Sequence, residues 1–237
     1  MPSQHPAPPP RKHLSRGLEI LYEDRDILVV NKPAGLLTMG TGTNKFKTAS
    51  HILTEYVRRG RLKSRNRIAI VHRLDQWTSG VLVFAKSEAV KLRLQAQWKS
   101  TDKTYFAVVH GHVTPKEGLI TSYLTENKAY VVHSTTDVAR GKLARTAYKV
   151  LKETKRFSLL EVSLLTGRKN QIRVHMADKG HPVVGDRKYG IANDGYNRLA
   201  LHSKSISFKH PTSGEQMTFE SKVPGYFNEL IGSIPDR

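Results

Sequence analysis

Asp75 is a carboxylate placed where chemistry is plausible, in His72-Arg73-Leu74-Asp75-Gln76-Trp77-Thr78-Ser79-Gly80, between the apolar runs 68–71 and 81–85. Asp is a poor strand residue, and Asp beside Thr-Ser-Gly suits a turn or loop. Such a group is either a surface turn acid or a reactive carboxylate in a positive site. A nucleophile or base of this kind must be desolvated yet ionised. Burial alone protonates it, whereas a neighbouring guanidinium preserves the charge. Two arginines could serve: Arg73, which in β geometry projects to the same side as Asp75, and the distant Arg173. His110 and His112 stand two residues apart without a partner ligand pattern, so zinc is not expected. The chain shows no second carboxylate or metal cluster of the sort most hydrolases of polyanions use.

The elements that must hold these residues read as many strands and few helices. Strands are expected at 18–22 and 27–30, then a loop over 31–35 where proline and glycine interrupt, and a flexible Gly/Thr stretch at 40–44. A helix fits 48–59, with Ile52, Leu53, Tyr56 and Val57 on one face and Thr48 as cap. A second helix fits 87–98, capped by Ser87. Strands follow at 103–109, as short pieces between 119 and 161, and at 157–165. Residues 170–179 suit a short helix closed by Gly180. Late strands at 199–208 and 216–219 and a last short helix at 227–231 complete the pattern. With no regular βαβ alternation, the class is α+β.

Composition narrows the partner. The 237 residues carry 39 Lys+Arg against 20 Asp+Glu, a formal charge of +19. An excess of this size repels itself unless a polyanion neutralises it, and nucleic acid is the evident polyanion. Six of the cations fall within 58–67, which is expected to track phosphates close to the active site. There is no cysteine, no apolar run long enough to cross a bilayer and no signal-peptide segment, which points to a cytoplasmic protein without membrane attachment. Residues 1–17 read as a flexible, proline-rich basic tail, and 18–237 as one folded catalytic domain.

The segment around Asp75 resembles the active-site motif of RNA pseudouridine synthases of the RluA family. Three further segments agree in order: Val29-Val30-Asn31-Lys32-Pro33-Ala34-Gly35-Leu36, Lys103-Thr104-Tyr105-Phe106-Ala107-Val108, and Gly167-Arg168-Lys169-Asn170-Gln171-Ile172-Arg173-Val174-His175-Met176, followed by His181-Pro182-Val183-Val184-Gly185-Asp186. Taken alone, Tyr105 fits a core strand and Arg173 a helix brace. The resemblance implies more: Asp75 as catalytic nucleophile or base, Tyr105 packing against the uracil and assisting proton removal from C5, and Arg173 pairing with Asp75. It implies substrate contacts from Arg73, Ile172, His72, Arg168 and Lys32, with Arg73 filling the place of a flipped-out uridine. The implied fold is a mixed, largely antiparallel sheet in two abutting lobes, with flanking helices and a central cleft. No cofactor or metal is implied, because the reaction is an isomerisation. The implied partner is a stem-loop of ribosomal or transfer RNA, bound by a monomer. With about 17 residues before the first strand, the extra N-terminal RNA-binding module of many relatives is expected to be absent. The rival reading is a non-catalytic RNA-binding or RNA-folding protein on the same scaffold.

Overall fold

A computed structural model describes residues 12–40, 46–61 and 64–234. The proline-rich start, residues 41–44 of the Gly/Thr stretch and Lys63 of the six-cation run lie outside them. Twelve strands form one sheet: β1 (Lys12–His13), β2 (Glu19–Glu23), β3 (Ile27–Lys32), β4 (Ala69–Ile70), β5 (Ser79–Ala85), β6 (Asp102–His110), β7 (Glu117–Glu126), β8 (Val132–Thr135), β9 (Lys142–Glu153), β10 (Phe157–Leu164), β11 (Leu201–Lys209) and β12 (Gln216–Glu220). Their order is β1-β2-β3-β5-β11-β6-β10-β9-β7-β8, with β4 on β5 and β12 on β11. All these pairings are antiparallel except β5 with β11, where Ser79 and Gly80 face His202 and Ser203. The two expected lobes are thus halves of one continuous sheet, joined because β11 pairs with both β5 and β6.

The central strands are apolar throughout because both faces are covered. Along β3 and β5, Leu28, Val30, Leu82 and Phe84 point into the larger core, while Ile27, Val29, Val81 and Val83 point into a second core on the opposite face. This follows from the two-residue period of a strand. Helix α1 (Ala49–Arg58) packs Leu53 onto the first face, and α2 (Glu88–Ala96) packs Val90 and Leu94 onto the second. Both begin as expected: Thr48 Oγ1 accepts from His51 N, and Ser87 Oγ from Val90 N. Helix α3 (Gln171–Asp178) lies against β7, β8 and β9, and α4 (Tyr226–Ile231) buries Phe227 and Ile231.

Two expectations shift. The folded part starts before Leu18, since Lys12 and His13 pair with Ile20 and Glu19. The region read as short strands contains the ten-residue β7 and the twelve-residue β9, paired over eight positions. Their polar positions are a solvent-facing side of continuous strands rather than turns. Among the described residues no helix is long and apolar enough to cross a membrane.

Candidate active site

Asp75 sits in the loop between β4 and β5, and that loop is clipped to the one following β3. Thr38 Oγ1 bonds both the backbone O and N of Leu74 (2.9 and 3.2 Å), while Gly35 N and Lys32 Nζ donate to Gln76 O (2.9 and 3.0 Å). Gly35 has φ +88°, a conformation favourable only without a side chain. Asp75 is thereby held on both sides in sequence, with Leu74 buried and Gln76 tied down.

From α3, Arg173 Nη1 donates to Asp75 Oδ2 at 3.1 Å. Asn170, just before the helix, donates its Nδ2 to the same oxygen at 2.6 Å. Asn170 has φ +54° and makes no side-chain cap, so its amide is available to reach Asp75. Gln171 Oε1 instead secures the approach to the helix, accepting from Arg168 N and Thr166 Oγ1. Among the described residues none donates to Asp75 Oδ1. Arg173 is itself braced: its Nε and Nη2 each meet a carboxylate oxygen of Asp186 at 2.7 Å, and the Tyr189 ring lies 5.0 Å from its guanidinium carbon. Burial works against the Arg173 charge, but Asp186 and Asp75 outweigh it and hold its pKa above the ordinary value.

Asp75 and Arg173 form the divide between two chambers of 480 and 490 Å³, both of which also touch Arg73, Leu74, Lys169 and Asn170. The larger chamber is walled by Tyr105, Ile172, Leu164 and Leu201, with His72 and Arg168 at its edge. Tyr105, on β6, is nearly buried, and that burial pushes its hydroxyl up to about 12, with Ser203 pulling down and the charge of Asp75 pushing further up. The other chamber runs past Leu37, Thr38 and Trp77, a residue 48% exposed whose ring stands over Gly35.

Seven of the eight residues singled out from the sequence meet in this cleft: Asp75, Tyr105, Arg173, Arg73, Ile172, His72 and Arg168. Two need correction. Lys32 does not line the cleft; it is fully buried, and its Nζ donates to the carbonyls of Pro33, Leu36 and Gln76 at 2.9, 2.8 and 3.0 Å. It braces the loops beneath Asp75 instead of touching substrate. Burial lowers its pKa to about 7, against the opposing charge of Asp75. His72 lines the cleft, but its Nε2 accepts from Val83 N and its ring stacks 4.5 Å from Trp98. Burial, with the charge of Lys103, lowers it to about 3, so it is a neutral scaffold imidazole at working pH. Sequence reasoning assigned no role to Asn170, Asp186 or Tyr189, although the first two stand inside the motifs it singled out.

The family model described as RNA pseudouridylate synthase matches residues 26–178. The chain is 36% identical to ribosomal large subunit pseudouridine synthase D of Zymomonas mobilis over 87% of its length and 69% of that protein's. It is 37% identical to the uncharacterized RNA pseudouridine synthase YlyB of Bacillus subtilis, over 92% and 73%. Among solved structures, human RNA pseudouridylate synthase domain containing 1 superposes with a TM-score of 0.69 at 27% identity, covering 90% of this chain and 86% of that one. Human RNA pseudouridylate synthase domain containing 4 has a likeness of fold at a TM-score of 0.71 and 24% identity, covering 88% and 89%.

Proposed function

The chain belongs to the RNA pseudouridylate synthase family, in its RluA branch, and is an isomerase acting on uridine in RNA; from that premise we propose the part each residue takes. Asp75 is the catalytic carboxylate. The observation that carries this is the one-sided grip on it: both donors reach Oδ2, and Oδ1 is left to face a reacting ribose.

A uridine must leave its stack before its glycosidic bond can be reached. In the proposed pose its uracil enters the chamber between Tyr105 and Ile172, and the ribose C1′ comes to Asp75. As N1–C1′ breaks, the sugar gains positive character and the base negative. The carboxylate suits the first, and Arg173 keeps its own charge compensated in a site already rich in cations. The freed uracil turns in its chamber, C5 bonds to C1′, and the C5 proton passes to N1 by way of solvent or a basic group, so no atom is gained or lost overall. Tyr105 is a stacking wall in this scheme. With its hydroxyl raised to about 12 it is a neutral phenol near pH 7 and a poor base. Arg73, exposed at the mouth of both chambers, occupies the place the uridine vacates, and Arg168 meets the backbone.

Two of the relatives named for the ribosomal large subunit, from Zymomonas mobilis and Vibrio vulnificus, support a stem-loop of large-subunit ribosomal RNA as the substrate. A monomer in the cytoplasm, with the catalytic unit beginning by residue 18, completes the reading.

The test is Asp75→Asn, which is nearly isosteric. Pseudouridine is mapped in total RNA from cells lacking the gene, before and after adding either protein. The wild type restores a missing site; the variant restores none while binding the same RNA at least as well. Restoration by the variant would remove Asp75 from the chemistry, and failure by both would favour the non-catalytic RNA-binding alternative.

A further inference from the structure

Arg58, Arg59, Arg61 and Arg67 of the six-cation run do not border the catalytic cleft. They converge at the other end of α1, on a separate cavity of 360 Å³ that shares no lining residue with either catalytic chamber. Arg25 reaches it from the β2–β3 turn, Arg58, Arg59, Arg61 and Arg67 from the end of α1 and the loop after it, and Lys86 from the end of β5. One carboxylate, Glu23, stands among these six cations, and it is already engaged by Lys86 Nζ and the Tyr56 hydroxyl, both at 2.7 Å. Arg58 Nη1 meets Glu55, while its buried Nε has no acceptor among the described residues. Six cations drawn from three segments around one engaged carboxylate leave this cavity with an excess of positive charge that an anion would neutralise.

Its distance from Asp75 follows from two independent elements. Residues Leu37 and Thr38, which line the catalytic cleft, hold the start of α1 through Ala49 N and Ser50 N. The ten residues of α1 then rise about 15 Å to the arginines. Strand β5 likewise leaves the Asp75 loop at Ser79 and arrives at Lys86 about 20 Å away.

We propose that this cavity is a second RNA site that holds the phosphate backbone of the duplex stem carrying the target uridine. The inference rests on the function proposed above. An A-form RNA duplex rises less per base pair than the roughly 3.4 Å of DNA, so 15–20 Å corresponds to about five to seven base pairs. Planar guanidinium forks match phosphate oxygens in pairs, and a site built from them fixes register without reading sequence. Uridine choice then belongs to the cleft, and the alignment of the stem belongs to the far cavity.

Arg61 and Arg67 are exposed and outside the catalytic machinery, so Arg61→Glu with Arg67→Glu is the informative variant. A control of equal charge, Lys155→Glu with Lys222→Glu, changes two exposed lysines elsewhere. Binding of a fluorescein-labelled RNA duplex of about 20 base pairs without a loop is followed by anisotropy across a salt series. The arginine variant is expected to bind at least about tenfold more weakly than the control near 100 mM salt, with its log–log salt slope smaller by about two. On RNA from the deletion strain its KM rises while kcat holds. Equal weakening by both variants overturns the proposal in favour of bulk charge. Displacement of the duplex by inorganic phosphate at about 10 mM overturns it in favour of a small-anion site. If wild-type protein makes no pseudouridine yet the arginine variant alone loses duplex, the enzyme reading fails and this site stands. Wild-type turnover with unchanged duplex affinity gives the reverse.

Discussion

Asp186→Asn probes the bracing of the catalytic pair while leaving both of its residues unchanged. Asp186 has its side chain wholly buried and accepts four hydrogen bonds: from Arg173 Nε and Nη2 at 2.7 Å, Lys188 N at 2.9 Å and Tyr189 N at 3.1 Å. Three of these arrive on Oδ1. An asparagine that keeps Oδ1 as its carbonyl oxygen retains those three and turns its NH₂ toward the Arg173 Nε–H, donor against donor. The flipped amide instead loses the three. Either way a buried guanidinium loses a full counter-charge, and breaking one partner of a buried ion pair costs about 3–5 kcal/mol. With about 2–3 kcal/mol per molar of urea as the slope, the unfolding midpoint should fall by about 1–2.5 M. Arg173 then settles elsewhere, and a misplacement of about 1 Å in a catalytic arrangement is worth about a hundredfold in rate. The assay is single-turnover pseudouridine formation at a temperature where the variant is fully folded by circular dichroism. The reasoning is refuted if the variant turns over within about twofold of wild type, or unfolds at the wild-type midpoint.

Two further perturbations test the scaffold. Lys32, lowered by burial to about 7 from an ordinary 10.5, binds a proton in the unfolded chain that it lacks in the folded one across that window. Stability therefore gains up to about 1.4 kcal/mol per pH unit as pH rises above 7, and the gain is lost again as pH falls back through 7. Urea midpoints at several pH values should rise less steeply in Lys32→Met than in wild type, and parallel curves would refute the assignment. Gly80→Ala places a Cβ 2.2 Å from Ser203 O and 2.7 Å from Ser203 N at φ +112°. Both obstacles are backbone, so the parallel β5–β11 junction must part. A loss of about 3 kcal/mol or more is expected in thermal unfolding, and an unchanged Tm would show that the junction yields freely.

Much of this was readable before any coordinates. The Asp75 loop and the capped helices follow from local signals, whereas the pairing of Arg173 with Asp75 was implied by the family resemblance. What escaped depends on which side chains the fold turns inward. The resemblance implies a substrate contact for Lys32; only the fold reveals that three carbonyls surround its ammonium. Asn170 reads as the first residue of a short helix, and its left-handed backbone leaves it outside α3 with its amide on a residue 95 positions away. Asp186 has meaning only once Arg173 is seen between two carboxylates. The six-cation run was legible as a phosphate binder but not its place, because α1 and β5 carry its two sides away from the cleft.

The double engagement of Arg173 answers a problem peculiar to this surface. An enzyme for RNA brings phosphates close to every arginine at its cleft, and an arginine meant for a carboxylate can be drawn to a phosphate instead. Here Asp186 occupies Nε and Nη2, and the Tyr189 ring lies against the guanidinium. Nη1 is on Asp75 Oδ2, so each of the three guanidinium nitrogens already holds a carboxylate oxygen. The same ring fixes the other donor, since the Tyr189 hydroxyl donates to Asn170 Oδ1 at 3.2 Å and so turns Asn170 Nδ2 toward Asp75. Arg73 and Arg168 are exposed, and among the described residues no carboxylate braces either, as suits groups that must follow a moving backbone. The site thus separates its arginines by what surrounds them: one locked by a buried acid to serve the carboxylate, the others left to the RNA.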